Sequence, residues 1–142
     1  MDDLLKSGKE ILTSQPFSVF VGAELSAFSP GHVELVIPIT DQLKQQHGFV
    51  HGGVVSYAAD NALTFVGGSV LGPDVVTSEY KINYLKPAVG EKLTARAQEL
   101  YSSKNQAVCR CDVFVLNEGS EYACAVAQGT IARIGQASND QT

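Results

Sequence analysis

From Gly52 to Leu71 the chain is apolar on every side of a would-be helix, carrying Val54, Val55, Tyr57, Ala58, Ala59, Ala62, Leu63, Phe65 and Val66, yet it holds one carboxylate, Asp60. A helix apolar all round is one that other elements cover, so the rest of the chain must wrap around this segment. Asp60 is the anomaly. An ionised carboxylate taken out of water without partners costs several kcal/mol or has its pKa raised, and such a position is kept mainly for a partner pair or for chemistry.

The flanking sequence supplies the wrapping. Residues 2–13 place Leu4, Leu5, Ile11 and Leu12 on one face of a short surface-lying helix, and Pro16 marks its stop. Two strand-like stretches, 21–28 and 32–39, are joined by Ser29-Pro30-Gly31 and read as a hairpin. Residues 40–44 read as one helical turn, and the loop 45–51 brings polar groups to the start of the apolar helix. After Gly72-Pro73-Asp74, four segments alternate at period two, 75–86, 92–101, 107–116 and 122–134. In the first, Val76, Tyr80, Ile82 and Tyr84 alternate with Thr77, Glu79, Lys81 and Asn83. The connections are short and contain no helix, which rules out a parallel βαβ layout and predicts an antiparallel meander. The expected architecture is α+β: a curved antiparallel sheet of about six strands around one long buried helix. It forms a single domain over residues 1–135, with a disordered polar tail over 136–142.

Length and composition narrow the function. With 142 residues there is room for one core and one class of site. Hydrophobic residues make up 44% and charged residues 18%, and no apolar run reaches the roughly 18 residues of a membrane span, so a membrane protein is not expected. The start, Met1-Asp2-Asp3-Leu4-Leu5-Lys6, is acidic where a secretory signal is basic, which points to the cytoplasm. A formal net charge of −5 argues against nucleic acid as a partner. Cys109 and Cys111 share one strand face and, with Cys124, read as reduced core thiols. His47 and His51 are spaced like zinc ligands on a helix, but Gly48 and Gly52-Gly53 oppose a helix there, and Phe49 stands where a metalloprotease needs its acid. His47 reads as structural and His32 as a surface strand residue. Neither a metal nor a redox cofactor is expected.

The His51-Gly52-Gly53 entry to the helix, the acid nine residues after that histidine, the stretch Asn83-Tyr84-Leu85-Lys86-Pro87-Ala88, the Gly90-Glu91 turn and Ala127-Gln128-Gly129 together resemble the hotdog-fold acyl-CoA thioesterases. The likeness is to the PaaI-like branch, which includes phenylacetate-pathway and 4-hydroxybenzoyl-CoA thioesterases. The resemblance implies that Gln45 helps hold the substrate, that Gly52 offers its backbone N–H to an oxyanion, that Asp60 is the catalytic acid and that Thr77 assists the attacking water. It also implies coenzyme A contacts at Tyr84 and at Lys104 in a strand-strand turn. Family members with Gln at position 45 often carry Glu rather than Asp at position 60, so the substrate subclass stays open.

Elementary chemistry suits these residues. The first turn of a helix presents unpaired N–H groups at a positive dipole end, and glycines at 52 and 53 let a carbonyl come close. One preorganised donor of this kind is worth roughly 3 kcal/mol. Asp60 acts as general base on water or attacks the carbonyl itself, and His51 positions the thioester or caps the helix; both pairs of readings stay open here. Eight residues of straight helix separate Gly52 from Asp60 by roughly 12 Å, so they cannot touch one carbonyl carbon. If both act in one reaction, they come from different subunits, which predicts a homodimer, or a homotetramer of such dimers, with composite sites. The alternative function is a non-catalytic acyl-CoA binding or sensing module, which has no use for Asp60.

Overall fold

The computed structural model describes residues 3–135. The elements run α1 (Asp3–Thr13), α2 (Pro16–Val21), β1 (Glu24–Ser29), β2 (His32–Pro38), a 3-10 turn (Asp41–Leu43), α3 (Gly52–Leu71), β3 (Val75–Tyr84), β4 (Lys92–Ser102), β5 (Gln106–Asn117) and β6 (Ser120–Arg133). The six strands form one antiparallel sheet in the order β1-β2-β4-β5-β6-β3, and α3 packs against β2 through β6. The expected tail over 136–142 lies outside the described residues.

The period of two in the strands places alternate side chains against α3. Leu35, Ile37, Leu93, Val113, Val115 and Ile131 from the sheet meet Leu63 and Val66 from the helix, all fully buried. Contact is close enough that a Cβ built on Gly67 would lie 2.5 Å from Ile131 Cβ, so the helix sits directly on β6 because that position lacks a side chain. Cys109, Cys111 and Cys124 are free and buried in this layer. Burial raises all three thiols, Cys109 and Cys124 to about 11, which keeps them protonated core residues.

Four expectations need correction. Pro16 starts a second helix instead of only ending the first, because its missing N–H costs nothing at the first helical position. The helix closes at Gly22, whose φ of +82 lets its N–H reach Ser18 and Val19 carbonyls, and β1 therefore begins at Glu24. The helix α3 is not sealed on every side. Ser56, Tyr57, Asp60, Asn61 and Thr64 lie along a half-buried stripe, spaced so that they share one face.

The third correction concerns β3, which pairs with β6 at the sheet edge and not with β4 as a meander requires. The connection steps past two strands: Leu85 and Lys86 N–H donate to Cys124 O of β6, and Glu91 N–H donates to Leu116 O of β5. Crossing three strand spacings takes about 15 Å, within the roughly 20 Å reach of six extended residues, so a short connection does not oblige neighbouring strands to pair.

The fourth lies within β3. Its register slips between Thr77 and Glu79, leaving Ser78 as an extra residue. This bulge reverses the alternation, so that Thr77 turns toward α3 while Val76, expected to face inward, is 49% exposed. Beyond the bulge, Tyr80 and Ile82 pack against the core as expected. Gly129 on β6 makes the bulge possible, since a Cβ there would lie 2.6 Å from the Glu79 carbonyl oxygen and 2.6 Å from Tyr80 Cβ. Gly129→Ala is accordingly expected to cost about 1–3 kcal/mol in urea unfolding, the scale of overpacking against backbone. Unchanged stability would show that the bulge tolerates a side chain.

Candidate active site

His51 is the N-cap of α3, and its Nδ1 accepts the Gly53 N–H at 2.9 Å, which requires the neutral Nε2–H tautomer. The His51 carbonyl accepts from Val54 and Val55 N–H at 2.9 and 3.3 Å. Of the first-turn donors, only the Gly52 N–H meets no acceptor among the described residues. The capping alternative for His51 is thus the one with a geometric basis, and it singles out Gly52 over Gly53 as the open donor.

Tyr84 covers this turn, its hydroxyl donating to the Gly52 carbonyl at 3.2 Å. Beside it runs a groove of about 480 Å³ bordered by Phe49, Gly52, Gly53, Tyr84, Lys86 and Pro87. Lys86 was not singled out by sequence, although it stands in the same Tyr-x-x-Pro stretch as Tyr84. Gln45 sits in the tight turn that leads into the helix: its Oε1 accepts the His47 N–H, its own N–H donates to Phe49 O at 2.9 Å and its carbonyl accepts from Gly48 at 3.0 Å. The Gln45 side-chain oxygen therefore holds the loop in place.

Two turns along α3, Asp60 is half-buried and hydrogen-bonded. Thr77 Oγ1 donates to Asp60 Oδ1 at 2.6 Å, while Thr64 Oγ1 donates to the Asp60 backbone carbonyl at 2.8 Å and lies 2.9 Å from Thr77 Oγ1. Asp60 Oδ2 takes no hydrogen bond among the described residues. Ser56, on the same stripe of α3, meets Tyr80 OH at 2.5 Å. Thr64, four positions after Asp60, shares its helical face and bonds its backbone carbonyl, not its carboxylate.

The structure thus brings together Gly52, Gly53, His51 and Tyr84 at one end of α3, with Gln45 in the adjoining loop, and separately Asp60 with Thr77. Lys104 joins neither group. It is in the β4–β5 turn, where Arg133 N–H donates to Asn105 O and the Arg133 guanidinium donates to Leu71 O, at the far end of a helix about 30 Å long. Among the described residues no cluster of His, Cys, Asp and Glu is arranged to hold a metal, and no helix is long and apolar enough to cross a membrane.

Residues 47–121, which include Gly52, Asp60 and Thr77, match the family model of the thioesterase superfamily. The chain belongs to that superfamily. A crystal structure of a thioesterase family protein from Silicibacter pomeroyi has 31% sequence identity and a TM-score of 0.86, covering 91% of this chain and 96% of the other. The fold of both is the hotdog fold, a curved sheet closed over one long helix. A protein of Saccharolobus solfataricus bearing the name "Putative esterase" is 30% identical over 122 residues, 85% of this chain and 79% of its own. A Listeria monocytogenes relative named 1,4-dihydroxy-2-naphthoyl-CoA hydrolase is 24% identical over 79% of this chain and 90% of its own. Membership makes the protein a thioester hydrolase.

Proposed function

We propose that this thioesterase is an acyl-CoA hydrolase of the PaaI-like branch, releasing a free acid and coenzyme A at composite sites shared between subunits of a homodimer or homotetramer. The observation that carries this reading is the division of α3. An open N–H at Gly52 and a carboxylate oxygen at Asp60 lie about 12 Å apart along one helix axis, so a second subunit is needed to bring a donor and an acid to one carbonyl. The surface beside them suits a second copy: β3 is an open sheet edge of ten residues, next to the half-buried stripe of α3.

In this reading the thioester carbonyl oxygen points at the Gly52 N–H of one subunit. Asp60 Oδ2 of the other takes a proton as water adds to the carbonyl carbon, with Thr77 orienting the carboxylate through Oδ1. Collapse of the tetrahedral intermediate breaks the C–S bond, and the proton held on Asp60 passes to the departing thiolate. Tyr84, Gly53 and Lys86 border the groove that leads to Gly52 and suit the coenzyme A arm, with Lys86 offering a charge to its phosphates. Lys104 reaches the same ligand only from a second subunit, and Gln45 contributes by shaping the loop. The coenzyme A name of the Listeria relative supports the substrate class.

The test is thiol release from a panel of aryl-, short- and long-chain acyl-CoAs, with the assembly state measured by light scattering. Turnover of at least one member by a dimer or larger assembly is expected. Saturable acyl-CoA binding with no turnover would favour the binding-module alternative, and a fully active monomer would remove the composite site.

A further inference from the structure

Residues 85–89 of the connection between β3 and β4 are exposed except for Ala88, yet the connection is tied down at both ends and in the middle. At its start the Leu85 and Lys86 N–H groups donate to Cys124 O, and at its close Glu91 N–H donates to Leu116 O. The close approach there depends on Gly90, since a Cβ on it would collide with the Leu116 carbonyl oxygen. A side chain of β6 holds the middle. The Tyr122 hydroxyl donates to Pro87 O at 2.8 Å and accepts the Val89 N–H at 3.0 Å, while its ring packs against the core. Backbone groups at this exposure can bond to water, so two bonds to one phenol chiefly fix the shape of the strap.

The same ring restrains a charge. Lys86 Nζ lies 5.8 Å from the centroid of the Tyr122 ring, within reach of a cation–π contact. Lys44, Arg96 and Arg110 are each paired with a carboxylate, whereas Lys86 makes no ion pair among the described residues. Lys86 is also the only charged residue among them that borders the groove beside Gly52, the rest of whose lining is neutral. The groove that leads to the open N–H therefore carries one uncompensated positive charge, the sign a phosphate group requires. Where that charge sits depends on the strap that Tyr122 holds.

We propose that Tyr122 is a positioning residue for coenzyme A: by holding the strap and lying beneath Lys86, it keeps the ammonium where the phosphates of the carrier pass the groove. The inference rests on the acyl-CoA reading and adds to it a residue that does not itself border the groove. A lysine on its flexible stem loses rotamer freedom when it binds a phosphate, and a ring that restrains it beforehand lowers that cost. A thioester without phosphates gains nothing from this restraint. A purely structural role for Tyr122 would run by another route, since Val50 N–H donates to Ala88 O at 3.0 Å and Val50 leads directly into the His51 cap. Support of that kind would act on every thioester alike.

The experiment measures kcat and KM for the best acyl-CoA of the panel and for the pantetheine thioester of the same acid, which lacks the phosphates. It uses the wild type, Tyr122→Phe, Lys86→Ala and the double variant. Tyr122→Phe removes both strap bonds and keeps the packed ring, so the protein still folds. It is expected to raise KM for the acyl-CoA by about threefold to tenfold with kcat within about twofold, the pattern of lost ground-state binding, and to leave the pantetheine thioester unchanged. Lys86→Ala is expected to show the same pattern at about tenfold or more, and the double variant to do no worse than Lys86→Ala alone, because Tyr122 acts through Lys86. Equal losses on the two thioesters in Tyr122→Phe, no loss on either, or losses that multiply in the double variant would overturn the inference and leave the thioesterase reading standing. No turnover of any acyl-CoA by the wild type would count against that reading and take the inference with it.

Discussion

Asp60→Ala is expected to lower kcat by about a hundredfold or more while the protein still folds, the scale of losing a positioned acid-base group. A hundredfold loss corresponds to about 2.7 kcal/mol of transition-state stabilisation. The fold should survive because Asp60 is half-buried on the open stripe of α3 and its side chain has one hydrogen-bond partner among the described residues, Thr77. Truncation leaves the Thr77 hydroxyl with Thr64 still 2.9 Å away. Asp60→Asn sharpens the test, since the amide oxygen can keep the bond from Thr77 while the group no longer accepts a proton. Steady-state thiol release with the best acyl-CoA of the panel measures both variants, and turnover equal to wild type would remove Asp60 from the chemistry.

Gly52→Pro should cost as much or more, about a hundredfold to a thousandfold in kcat, by deleting one hydrogen-bond donor. Proline is favoured at the first helical position, where a backbone N–H has no intrahelical partner, and residue 52 is that position. His51 already has φ −58 and ψ 135, the extended conformation that a following proline requires. A Cβ on residue 52 would meet only Tyr84, at an ordinary 3.7 Å. The helix, its His51 cap and the Gly53 N–H should therefore persist, leaving the missing donor as the main change. Mixing the Asp60→Ala and Gly52→Pro proteins under exchange conditions tests the composite site directly. Half of randomly paired dimers are mixed, and each has one intact pair of half-sites, so about a quarter of wild-type activity should return. A mixture as inactive as its components, with exchange demonstrated, would place donor and acid in one subunit.

The residues named for these tests are legible in the sequence because their signals are local. A helix end leaves N–H groups unpaired whatever surrounds it, and a histidine at the cap followed by two glycines marks that end directly. A carboxylate within an apolar run needs a reason for being there. The 20-residue helix and the period-two strands followed from the same kind of rule, since backbone hydrogen bonding sets their periods and side chains must match.

Other features depended on contacts between distant parts of the chain. Residues 17–21 include Phe, Val and Phe, which suit a strand, yet they form α2 because Pro16 starts a helix and Ser18 is held by Tyr57 and Asn61, about forty residues away. Thr77 faces Asp60 because of the extra residue in β3, and the bulge exists where Gly129 of β6 leaves space, a pairing that no window around Thr77 contains. Gln15 and Asn61 follow the same logic, meeting only when α2 packs on α3. Sequence by itself therefore determined the helix, the strands and the family, through rules that act over a few residues. Only the tertiary structure decided which strand lies at the open edge, where Thr77 points and which side chains Gln15 and Asn61 meet, because those depend on non-local packing.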